Sequence, residues 1–203
     1  MKVDNVDLIR GFLDFPNEDV FYFVQVMNRK KDCGYDRIIK SFYVHSLQDY
    51  DNKVKEIKIL CDTFNARAYI HLNRKSFEKA TLQSLKEMAD LVLNKDFYQS
   101  KSVFNSVCGK FSNEDSYNHE RGKLWLIDID TKDEESIKEV SDFIKTLKRS
   151  KTTFGEVVLS VPTKNGVHLI TTTFDLITFH KTFPNIDIHK DNPTLLYYDD
   201  EKC

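Results

Sequence analysis

Apolar and polar positions change period several times along this chain, and each change predicts an element. Val20–Met27 (VFYFVQVM) is rich in aromatic and β-branched residues and predicts a strand. Ser41–Ser46 predicts another. Between Asn52 and Phe64 the residues Val54, Ile57, Leu60, Cys61 and Phe64 recur at helical spacing. Ala66–Leu72 then alternates, with Ala68, Ile70 and Leu72 on one face and Arg67, Tyr69 and His71 on the other. That alternation predicts a half-exposed strand. Ser76 is a suitable N-cap for a helix running to about Leu93, with Leu82, Leu85, Met88, Ala89 and Val92 turned inward.

Residues 95–122 are polar and irregular and read as a connection. Beyond them, Leu124–Ile129 is an apolar strand interrupted by Asp128 and followed by Asp130. Thr131–Ser150 predicts an amphipathic helix, with Ile137, Val140, Phe143, Ile144 and Leu147 on one stripe. Glu156–Val161 and Val167–Thr171 predict strands joined by Pro162-Thr163-Lys164-Asn165-Gly166, and Thr194–Tyr198 predicts the last strand. The expected class is α+β in two lobes. An N-terminal α/β lobe spans 1–95, a connecting segment 96–122, and a second lobe with the chemistry 123–203.

A chain of 203 residues suits one large domain or two intimate subdomains. Hydrophobic residues make up 40% and charged ones 31%, an ordinary globular composition with ample Phe and Tyr for a core. With six Gly and four Pro, no linker-like stretch is visible. Thirty basic against 32 acidic residues leave a formal charge of −2, so contact with phosphates requires a local patch. The start lacks the apolar core of a signal peptide, and no apolar run approaches the roughly 18–20 residues of a membrane span, so a cytoplasmic location is expected. Cys33, Cys61, Cys108 and Cys203 are scattered without a CxxC pair, which argues for reduced thiols over a zinc ribbon; a mixed Cys108–His119 site is a minor option.

The candidate chemistry lies in the second lobe. Residues i and i+2 of a strand share a face, so Asp128 and Asp130 project together. Mg²⁺ and Mn²⁺ prefer hard oxygen ligands, commonly one or two carboxylates plus substrate phosphates and water. Asp187, between two isoleucines, is a third carboxylate, and Asp191 competes with it. His168 sits in an apolar strand after the Lys164-Asn165-Gly166 turn, where it could bond a phosphate oxygen beside the Lys164 cation. Each piece also has a plainer reading. Acidic residues suit a strand end running into a helix N-terminus, and His168 suits a half-buried hairpin.

Taken together, hydrophobic-Asp-hydrophobic-Asp, then Gly-x-His, then hydrophobic-Asp resembles the archaeo-eukaryotic primase (primase-polymerase) superfamily over roughly residues 120–200. The stretch Ile186–Asn192 also looks like the third-motif region of that family. The resemblance implies an RRM-like sheet carrying the metal site, covered by a smaller N-terminal lobe. It implies that Asp128, Asp130 and Asp187 are catalytic ligands of Mg²⁺ or Mn²⁺, and that His168, Lys164 and Gly166 bind nucleotide. Arg67 and Arg74, near the exposed face of the first-lobe strand, are further candidates for phosphate or template. The implied activity joins nucleoside triphosphates on a single-stranded DNA or RNA template. Where the family usually has Ser-x-His, this chain has Gly166. No helical or helicase segment of the kind that accompanies such enzymes is legible, so another replication protein is expected as partner.

Two other readings stay open. A non-catalytic accessory protein would keep the fold and bind nucleic acid or nucleotide. A metal-dependent nuclease would use the carboxylates without needing the Lys164/His168 turn.

Overall fold

The structure is a computed structural model, and it describes residues 2–30, 34–110 and 122–199. The first half contains β1 (Lys2–Asp4), α1 (Val6–Arg10), β2 (Val20–Asn28), β3 (Arg37–Val44), α2 (Leu47–Phe64), β4 (Arg67–Ile70), β5 (Lys75–Ser76), α3 (Phe77–Leu93), α4 (Phe97–Ser100) and α5 (Val103–Lys110). The second contains β6 (Leu124–Ile129), α6 (Glu134–Thr146), β7 (Val157–Pro162), β8 (Val167–Thr172), α7 (Leu176–Thr182), β9 (Asp187–His189) and β10 (Thr194–Asp199). The class is α+β, with two antiparallel sheets.

Local chemistry sets the helix starts. Ser46, Ser76 and Asp133 each accept a backbone N–H three residues on, and Asp175 accepts two. These bonds satisfy amides that a helix N-terminus leaves without a partner. Asn65 closes α2 at φ +46°, a left-handed conformation that Asn tolerates.

The first sheet runs β1-β10-β4-β2-β3, with β5 on β2. One face of β2 and β4 (Tyr22, Val24, Val26, Ala68, Ile70) packs on Tyr50, Val54, Ile57 and Cys61 of α2. At the other face, Phe21 and Phe23 bury against Ala80 of α3 and Val103, Val107 and Cys108 of α5. Residues 97–110 are therefore largely helical, where polarity suggested an irregular connection. The Val103/Val107/Cys108 stripe is enough to dock α5.

Helix α3 is rotated from the expected setting. Phe77 stacks on Phe21 with ring centroids 4.2 Å apart, which turns Phe77, Ala80, Met88 and Leu91 inward. Leu82, Leu85 and Val92, expected inside, are exposed. The strand holding Arg67 and Tyr69 also differs from expectation. It lies between β10 and β2 and is buried on both faces.

The second sheet runs β7-β8-β6-β9, in the chain order strand-helix-strand-strand-helix-strand. Alternation along β6 divides its residues between two neighbours. Ile127 and Ile129, with Val167 and Leu169 of β8, pack on Val140 and Ile144 of α6 and on Phe179 of α7. Leu124 and Leu126, with Ile170 and Val161, join the core of the first sheet. Asn73 ties the sheets further: it donates to the Leu124 carbonyl and accepts from the Leu124 amide, both at 2.9 Å.

Strand β10, placed by the 123–203 boundary in the second lobe, belongs to the first sheet between β1 and β4. It is buried along its whole length, so it needs neighbours on both edges and cover on both faces. This return makes the first sheet the larger, six strands against four, reversing the expected size order. Among the described residues, no helix is long and apolar enough to cross a membrane.

Candidate functional site

The face of β6 that packs toward the first sheet is apolar at its start and polar at its end. Asp128 pairs in register with His168 on β8 and with Asp187 on β9. Directly opposed residues of antiparallel strands share a face, with Cβ atoms about 4.5–5.5 Å apart. His168, Asp128 and Asp187 thus form one row across three strands, and the next row along the sheet holds Ile170, Leu126 and His189. His168 Nε2 lies 3.4 Å from Asp128 Oδ1, and His168 Nδ1 lies 2.8 Å from the Thr194 hydroxyl.

Where this polar end meets the first sheet, a cavity of about 290 Å³ remains. The second sheet contributes Leu126, Asp128, Asp130, His168 and His189 to its wall, and the turn before β8 adds Thr163, Lys164 and Asn165. The first sheet contributes Arg67, Tyr69 and Leu195; Arg29 and Asn192 complete the wall. Tyrosine rings brace the cations. Arg67 lies 4.5 Å and Lys164 5.4 Å from the Tyr198 ring centroid, and Arg29 lies 5.7 Å from that of Tyr69. Carboxylates stand on one wall and guanidinium groups on the other, an arrangement suited to a ligand carrying both cations and anionic oxygens.

The sequence-based candidates divide into two groups. Asp128, Asp130, His168, Lys164 and Arg67 all line this cavity. Asp187 stands next to Asp128 in the sheet, on the exposed edge strand. Asp187, Gly166 and Arg74 do not line the cavity. A Cβ on Gly166 would sit 1.8 Å from the Ile129 carbonyl oxygen, so this position is glycine because the turn presses on the backbone of β6. That contact explains why Ser is not found there. Arg74, expected near an exposed face, has a side chain only 3% exposed and donates to Asp14 at 3.0 Å.

Asp191 is turned to a second, buried cluster. It accepts from Asn73 at 2.9 Å and lies 3.8 Å from the Lys75 ammonium, whose side chain is 1% exposed. Burial raises the Asp191 pKa and lowers that of Lys75, each group partly offsetting the shift of the other. Burial also pushes His71, in the same cluster, down to about 3.

Among the described residues, no three His, Cys, Asp or Glu side chains are gathered as a preformed metal cage. The donors present match the chemistry of Mg²⁺ or Mn²⁺, which commonly take one or two carboxylates and complete their shell with substrate and water. Cys61 and Cys108 are buried free thiols; His119 lies outside the described residues, and with it the Cys108–His119 option.

Sequence reasoning missed Arg29, Tyr69, His189, Asn192 and Thr194. His189 had a usable signal, since it lies two residues from Asp187 and so shares its face. Arg29 and Thr194 reach the site only through the packing of one sheet on the other. No family model, no curated protein and no solved structure matches the chain.

Proposed function

We propose that this cavity is the active site of a primase-polymerase-like nucleotidyltransferase, which joins nucleoside triphosphates on a single-stranded template. The observation that carries the reading is the in-register row His168–Asp128–Asp187, of which His168 and Asp128 line the cavity beside Lys164 and across from Arg67 of the first sheet. The strand-helix-strand-strand-helix-strand order supports the RRM-like reading of the second lobe.

In this reading Asp128, Asp130 and Asp187 would hold one or two Mg²⁺ or Mn²⁺ ions. Bound there, such ions supply activation of a primer 3′-hydroxyl and neutralise charge at the α-phosphate as pyrophosphate leaves. The chain's own side chains do the binding and orientation. His168 Nε2 and the Lys164 ammonium hold triphosphate oxygens, Lys164 as a point charge. Arg67, held against Tyr198 and buried, offers a planar fork of donors to the same group. Leu126 and Leu195 exclude water from the inner wall.

The test is a polymerisation assay on single-stranded DNA with each of the eight nucleotides and either Mg²⁺ or Mn²⁺. Template-dependent extension that disappears in Asp128→Asn supports the reading. Cleavage of the labelled strand without added nucleotide would replace it with a nuclease. Nucleotide binding without extension under any condition would leave an accessory protein.

A further inference from the structure

We propose that Thr194 is the positioning residue of His168, and that the first sheet thereby aims the imidazole of the second sheet into the cavity. The inference about nucleotide affinity rests on the function proposed above; the inference about the ring does not.

The two ring nitrogens of His168 are held unequally. Its Nδ1 lies 2.8 Å from the Thr194 hydroxyl, a full-strength hydrogen bond. Its Nε2 lies 3.4 Å from Asp128 Oδ1, beyond the usual N–H···O range. The strong partner of His168 is therefore Thr194. The bond also crosses the join of the two lobes. His168 is on β8 of the second sheet, whereas Thr194 opens β10 and pairs with Ile70 of the first sheet.

Histidine χ2 is a broad sp³–sp² torsion that local sterics leave weakly set. A single bond at Nδ1 removes that freedom and leaves Nε2 as the atom presented to the cavity. Thr194 is well placed to be rigid. It is fully buried, β-branched and held in a central strand. The same strand carries Leu195 of the cavity wall and Tyr198, on which Arg67 and Lys164 lean. One strand thus sets both the imidazole and the braced cations.

The experiment compares the full chain with Thr194→Val and Thr194→Ser. Valine keeps the shape and loses the hydroxyl; serine keeps the hydroxyl. The first readout is the ring ¹⁵N spectrum of His168 without ligand. The second is the dissociation constant of a Mn²⁺–nucleoside triphosphate complex. Thr194→Val should shift the His168 Nδ1 resonance and weaken nucleotide binding about tenfold, the scale of one hydrogen bond. Thr194→Ser should restore both towards the parent values.

An unchanged His168 spectrum in Thr194→Val overturns the proposal. So does a valine variant that binds nucleotide as the parent does. A shifted spectrum together with no nucleotide binding by the parent keeps the ring-positioning role and removes the proposed function instead. If the valine variant does not fold, the parent decides. The proton shared between the Thr194 hydroxyl and His168 Nδ1 should exchange slowly and correlate with both side chains, and its absence overturns the proposal.

Discussion

Two polar clusters sit side by side where the sheets meet, and consecutive residues belong to different ones. Asp191 turns into the buried cluster with Asn73 and Lys75, whereas Asn192 lines the cavity beside Asp128 and Arg67. Both combine carboxyl, cationic and histidine side chains. The buried cluster is largely paired internally: Asp191 has Asn73 and Lys75, and Asn73 also holds both backbone groups of Leu124, while His71 Nδ1 has no hydrogen-bond partner. In the cavity cluster, Asp128, Asp130, His168 and Lys164 from the side of the second sheet face Arg67 and Arg29 across an open cavity. The contrast suits the first cluster to holding the two sheets together and the second to the proposed nucleotide site. Substitutions in the first should appear as lost stability, and in the second as lost binding at nearly constant stability.

The largest expected effect is in the buried cluster. Lys75→Ala leaves Asp191 buried without its cation and should cost about 3–5 kcal/mol in urea unfolding. Replacing Lys75 and Asp191 together by Met and Leu should recover most of that loss. A Lys75→Ala variant as stable as the parent would show that the pair does not clamp the sheets.

His168→Ala tests the other side. It should weaken nucleotide binding roughly ten- to a hundredfold, the worth of a charge-assisted bond of about 1.5–3 kcal/mol. Thermal unfolding should move little. Early melting with normal nucleotide affinity would reassign His168 to the structure of the hairpin.

A pH titration separates the clusters again. His71 is held neutral, with its pKa pushed from 6.5 down to about 3. Below pH 6.5 the unfolded chain takes up a proton that the folded chain refuses, so this contribution to stability is present above pH 6.5 and is lost on acidification towards pH 3. Between pH 7.5 and 5 the loss should be about 2 kcal/mol. Unfolding of His71→Phe at both pH values checks it, because the variant should lack that part of the slope.

The smallest effect is expected at the rim of the cavity. Arg29 is 42% exposed along its side chain and has Asp36 at 3.6 Å. Arg29→Ala should weaken single-stranded nucleic-acid binding only a few-fold. If Arg29 meets one phosphate, the salt slope should also become shallower by about 0.7. An unchanged slope would remove Arg29 from the strand path.

Much of this was legible along the chain. Alternation in Leu124–Ile129 put Asp128 on one face and Ile127 and Ile129 on the other, and the sheet preserves that division. Ser76 as an N-cap, the stripe of Thr131–Ser150 and the class of fold were likewise read from local pattern. Period 2 and period 3.6 determine which residues share a face, and caps determine where helices begin, because both arise from bonds a few residues long. The tertiary structure alone decided what each face would meet. Local pattern did not send β10 back into the first sheet, rotate α3 onto Phe21, bury Arg67 and Arg74, or turn Asp191 away while Asp187 stayed beside Asp128. Those outcomes depend on residues far apart in the chain competing for the same apolar cover and the same counter-charges. A local pattern can state such a demand without naming the partner that meets it.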